Sequence, residues 1–125
     1  MDAHFYKIQI RVLIYREDGE FLARALELDL LGYGQTESAA MQELRQAVEA
    51  QISFAHQMNN DGLIGFQAPD EYFQRWEDAQ RNRFRAALGD KPVKLSARAC
   101  FLTFSPTELK ELRERRFKPA ELVCA

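Results

Sequence analysis

The sequence predicts an α+β fold, a small antiparallel β-sheet covered by helices. Three observations carry that prediction. Apolar residues alternate at period two near the N-terminus, an Asp-Gly pair interrupts the alternation before a second apolar run, and an apolar stripe at helical spacing then begins behind a threonine. At 125 residues the chain is one ordinary domain, long enough to bury a core without disulfide or metal staples.

From Phe5 to Tyr15, Ile8, Ile10, Val12 and Ile14 fall on one face and Lys7, Gln9 and Arg11 on the other, the pattern of a half-buried strand. Asp18-Gly19, inside Glu17–Glu20, is a hairpin turn because both residues tolerate positive φ. Phe21 to Leu28 is the return strand. Leu22, Leu26 and Leu28 share a side with Arg24, while Phe21, Ala23 and Ala25 take the other, so the pattern leaves the core side open. Gly32 and Gly34 then let a short third strand bend. They are no phosphate loop, lacking both the Lys-Ser/Thr pair and the G-x-G-x-x-G spacing. Thr36 is the expected N-cap of a helix reaching about Ala55, with Ala40, Met41, Leu44, Ala47, Val48 and Ile52 on its apolar face.

Met58 to Gly62 reads as a loop, and Leu63 to Phe66 as a short extended piece. A helical insertion spans about 69–88, opened by Pro69, with Tyr72, Phe73, Trp76, Phe84, Ala87 and Leu88 as its apolar stripe. Gly89 is expected to close it in the left-handed position. Alternation returns over about 93–104, a fourth strand joining the N-terminal sheet, with Val93, Leu95, Ala97, Ala99 and Phe101 on one side. Ser105-Pro106-Thr107-Glu108 is a capping box opening a third helix through about Arg116. No repeat or composition break divides residues 1–125.

Composition excludes several classes. No apolar run approaches the ~20 residues of a membrane span, and the N-terminus lacks a signal-peptide pattern, so a cytoplasmic location is expected. Two cysteines, Cys100 in an apolar run and Cys124 near the C-terminus, fit a reducing compartment. Residues 1–60 hold five Lys/Arg against nine Asp/Glu; residues 61–125 hold twelve against ten. The first half is the acidic one, which favours a basic partner. His4 and His56 have no patterned nucleophile or acid beside them, and no metalloprotease, redox or hydrolase motif occurs. Neither an enzyme nor a cofactor is therefore expected. The competing enzymatic reading is a divalent-metal nuclease using Glu20, Glu27 and Asp29. The arginines of the second helix, with Arg113, Arg115, Arg116 and Lys118, alternate with acids, which describes a solvated face rather than a DNA-binding one.

The stretch from Gly19 to Met41 resembles the HicB-like antitoxin family. Gly19, Phe21, Ala23, Glu27, Leu28, Gly32, Gly34, Thr36, Ala40, Met41 and Leu44 stand at matching places. The resemblance covers a core of about 5–58, with the strand at about 93–104 completing its sheet. It implies a β-β-β-α-β arrangement, a partial RNase-H-like fold without an active site. It also implies a protein that binds and blocks a small mRNA-cleaving toxin of the HicA type, and that oligomerises. Two departures stand out. The proline usual between the acid and the glycine is absent, Asp29-Leu30-Leu31 standing there instead. The C-terminal half matches no ribbon-helix-helix or helix-turn-helix, which speaks against DNA binding. The expected toxin contact is Leu30, Leu31, Tyr33 and Gln35, rimmed by Glu27 and Asp29. The alternative is a stand-alone scaffold or homo-oligomer joined through Tyr72, Phe73, Trp76 and Phe84.

Overall fold

A computed structural model describes residues 7–60, 62, 66–89 and 96–114. The expected start of the first strand at Phe5, most of the Leu63–Phe66 piece, Val93 to Leu95, His4, Cys124, and the basic residues Arg115, Arg116 and Lys118 lie outside them.

β1 (Ile8–Glu17) and β2 (Glu20–Ala25) form the hairpin. Asp18 has φ 52° and Gly19 φ 81°, the two positive angles that the Asp-Gly pair predicts. β2 ends three residues sooner than its pattern suggests, for a physical reason. Leu26 N–H donates to the Arg11 carbonyl at 2.9 Å, but the Leu26 carbonyl is taken by Ala68 N–H at 2.7 Å. The Arg11 N–H goes instead to the Glu27 carboxylate at 2.7 Å. The ladder is thus diverted at its last rung, and the chain turns through Asp29 at φ 48°.

β3 (Leu30–Gly34), α1 (Glu37–Gln57), α2 (Asp70–Leu88), β4 (Ala97–Phe104) and α3 (Pro106–Glu114) follow. The sheet order is β3-β2-β1-β4 and every pair is antiparallel, which makes the fold α+β as the sequence predicts.

Both faces of this sheet are covered, which corrects the half-buried reading of β1. Ile10, Val12 and Ile14 face α1 together with Ala23, Ala25, Leu102 and Phe104. Leu13 and Tyr15 face α2, joined by Leu22, Leu26 and Ala99. The two sides of β2 and the two sides of β4 are therefore both core. β1 is central, and α2 supplies the second cover.

Thr36 caps α1 as expected, its hydroxyl accepting from Ala39 N–H at 3.0 Å. Ala40, Leu44 and Val48 are the buried stripe, and farther on Ser53 donates its hydroxyl to the Leu112 carbonyl at 2.8 Å, tying α1 to α3. Gly89 departs from expectation. It is extended, φ −91° and ψ 159°, not left-handed. One ordinary helical bond, Gly89 N–H to the Arg85 carbonyl, closes α2, and the chain leaves without needing a positive φ.

The capping box of α3 forms reciprocally: Ser105 N–H donates to Glu108 at 3.0 Å, and Glu108 N–H to the Ser105 hydroxyl at 3.1 Å. Glu108 also pairs with Arg45 of α1. The backbone bond from Ser105, helped by its hydroxyl and by Arg45 against some desolvation, holds the Glu108 carboxyl below its usual range. A carboxyl depressed in the folded state stabilises above its unfolded pKa, and that contribution disappears as pH falls through the folded value. Thermal melts across the acid range should therefore show a gap between wild type and Glu108→Gln that closes on acidification. A constant gap would mean that the ionised carboxylate contributes nothing. Among the described residues no helix is long and apolar enough to cross a membrane.

Candidate protein-binding edge

Hydrogen-bond alternation decides which backbone groups the sheet leaves free. Because Arg11 bonds toward β2, so do Leu13, Tyr15 and Glu17, while Ile10, Val12 and Ile14 bond toward β4. Carried outward, Phe21, Ala23 and Ala25 bond to Gly34, Gly32 and Leu30. Leu31 and Tyr33 consequently point their N–H and C=O groups out of the β3 edge.

The side chains expected to make a contact surface divide by role. Leu30 packs on the α1-side core and Leu31 on the α2-side core, both partly buried. Tyr33 is 42% exposed, and Gln35 is exposed beside it. The acids are turned inward to partners. Glu27 grips Arg11 through both its backbone N–H and its Nε, each at 2.7 Å. Asp29 accepts from Arg24 Nη1 at 2.7 Å. Burial works to lower the pKa of the Arg24 guanidinium, but its bonds to the Tyr15 hydroxyl and Asp29 outweigh that and raise it. Arg24 also lies 4.0 Å from the Tyr72 ring centroid. The acidic rim is therefore neutralised within the molecule, and what the edge offers is backbone groups, one tyrosine and one glutamine. Sequence reading missed Arg11 and Arg24 as the partners; Arg11 stands on the polar side of its strand and Arg24 on the leucine side of its own, and neither placement names a partner until register is known.

The same pairing bears on the metal reading. Glu27 and Asp29 sit on different arginines, Glu20 is at the hairpin turn, and no group of three His, Cys, Asp or Glu residues able to hold a metal occurs among the described residues. His56 is exposed in the last turn of α1.

The aromatic stripe of α2 is split. Tyr72 stacks on Tyr15 with centroids 6.4 Å apart, and Phe73 lies under the Arg11 guanidinium at 4.7 Å. Trp76, 8% exposed, donates its indole N–H to the Cys100 carbonyl at 3.2 Å and meets Phe101 edge-on at 5.3 Å. These three hold α2 to its own sheet, so only Phe84, 62% exposed, remains of the expected oligomer seam. Leu88, one turn after Phe84, is 84% exposed, and Phe101 of β4, 46% exposed, was not anticipated as surface because its strand alternation reads as core.

Burial pushes the Cys100 thiol up to about 11, so little reactive thiolate forms near neutrality. In a Cys124→Ser background, Cys100 should resist a disulfide reagent at pH 8 until the protein is unfolded. Rapid native-state labelling would mean that β4 opens. Compared with known proteins, the chain matches no family model, no curated protein and no solved structure.

Proposed function

We propose that the protein is a HicB-like binding module that neutralises a small RNA-cleaving protein by accepting a segment of it along β3. The observation that carries this reading is the open edge. Among the described residues no strand pairs with the outward backbone groups of Leu31 and Tyr33, and Tyr33 with Gln35 supplies exposed side chains at one end of a short strand. Strand addition to such an edge derives affinity from main-chain hydrogen bonds and specificity from alternate side chains. The resemblance over Gly19–Met41 supplies the partner class. With Glu27 and Asp29 already paired, steering of a basic partner is secondary, and Tyr33 is the anchor.

Coexpression with the product of the adjacent small reading frame tests the proposal. The expected result is copurification and suppression of RNA cleavage. Tyr33→Pro removes an outward N–H and the aromatic ring together and should weaken the complex at least about tenfold, roughly 1.4 kcal/mol, with unchanged circular dichroism. A folded variant that binds as wild type, or the absence of any complex, rejects it. The scaffold reading has one observation of its own, the exposed half of α2.

A further inference from the structure

The close approach of α1 decides what lies above the β3 edge. A Cβ at Gly32 would stand 2.3 Å from the Ala40 carbonyl oxygen and 2.4 Å from Leu44 N, and one at Gly34 would stand 2.6 Å from Ala40 N. The backbone of α1 from Ala40 to Leu44 therefore rides directly on β3, the outermost strand on its side of the sheet among the described residues. Ala40, Leu44 and Val48 point down into the core.

Helical phase then assigns the two flanks of α1. Successive residues turn by about 100° around the axis, so the two neighbours of Leu44 project to opposite sides. Arg45 goes inward across the sheet, where its guanidinium lies 4.5 Å from the Phe104 ring centroid and pairs with Glu108. Glu43 goes the other way, out past β3. It is exposed, and among the described residues no group bonds to it or forms an ion pair with it. Glu27, Asp29 and Glu37, by contrast, are held by Arg11, Arg24 and Arg98. Ala47, one turn farther along the flank of Glu43, is small and half-buried, which leaves room beside the helix.

A strand added to β3 would run about 4.8 Å outside it. Residues side by side in a sheet share a face, and Gly32 faces α1. The added residue beside Gly32 therefore points up along the flank of α1, beneath Glu43. An apolar side chain there leaves the carboxylate unpaired, and an acidic one is repelled by it. A lysine or arginine reaches the carboxylate while its stem lies against Ala47.

We propose that Glu43 selects the strand that β3 accepts, by pairing with a lysine or arginine that the partner places beside Gly32. This selection rests on the binding role proposed for the β3 edge. The backbone groups of Leu31 and Tyr33 can hold any extended segment, whereas Glu43 discriminates among segments. The partner's segment thus carries a basic residue on its α1 side, and Tyr33, on the same side of β3 as Leu31, meets residues of the opposite side.

The coexpressed complex tests it. Glu43→Lys should weaken binding about tenfold at low salt, and the loss should shrink as salt is raised. Glu77→Lys makes the same charge change on α2, over the other face of the sheet, and should bind as wild type. Changing the partner's lysines and arginines singly to glutamate should find one position that weakens binding to wild type and restores it to Glu43→Lys. If Glu43→Lys binds as wild type while Tyr33→Pro does not, this inference is overturned and the binding role of the edge stands. Equal losses from Glu43→Lys and Glu77→Lys, or a scan with no restoring position, overturn it as well. No complex with the wild-type chain rejects the binding role, and this inference with it.

Discussion

Replacing Gly32 with alanine is expected to remove a large part of the stability of this protein. A Cβ at that position would lie 2.3 Å from the Ala40 carbonyl oxygen, 2.4 Å from Leu44 N and 2.8 Å from Leu44 Cα. All three are backbone atoms of α1, so no side chain can rotate out of the way. Overpacking a core ordinarily costs about 1–3 kcal/mol. Here β3 or the whole helix must move, and α1 carries the fully buried Ala40, Leu44 and Val48. The expected cost is therefore about 3 kcal/mol or more, against a typical total of about 5–15 kcal/mol. Urea unfolding followed by circular dichroism reads it directly. Gly19→Ala is the informative control: its φ of 81° strains an L residue, but nothing lies within 4 Å of the added carbon. It should cost only about 1–2 kcal/mol. Equal effects at the two positions would show that close approach of sheet and helix is not what Gly32 provides.

Trp76→Ala should be the other severe change, at about 3–5 kcal/mol, the usual cost of truncating a buried tryptophan. The substitution removes the edge-on contact with Phe101 and the hydrogen bond to the Cys100 carbonyl, and it leaves a cavity between α2 and β4. Trp76→Phe separates these contributions. It keeps most of the packing and should lose about 1 kcal/mol, the typical net value of one hydrogen bond. Trp76 is the only tryptophan, so native fluorescence reports its burial without a label. If Trp76→Ala left stability intact and altered only self-association, Trp76 would be an interface residue and not a clamp for α2.

Features set by close neighbours were legible in the sequence. Asp18-Gly19, the Thr36 cap and the Ser105–Glu108 box each depend on residues within a few positions, where φ preference and hydroxyl reach are local properties. The expected site was legible only in part. Tyr33 of β3 and Gln35 just after it are exposed, whereas the partners of Glu27 and Asp29 come from cross-strand register. Arg11 is sixteen residues from Glu27 in the chain, and no spacing rule links them.

The second face of the sheet was hidden for a related reason. Arg11, Leu13 and Tyr15 alternate with the isoleucines of β1, and a face mixing a cation with two large apolar groups does not read as core. It becomes core because α2 brings Phe73, Trp76 and Tyr72 over it and because Glu27 neutralises Arg11.

The α+β class, the hairpin, the capped helices and the order of elements thus follow from local chemistry in the amino-acid chain. Packing in three dimensions alone determined that both faces are buried, that the acidic rim is internally paired, and that the last turns of α2 leave Phe84 and Leu88 exposed. Burial and ion pairing are relations between distant residues, and they take values only once the strands are in register.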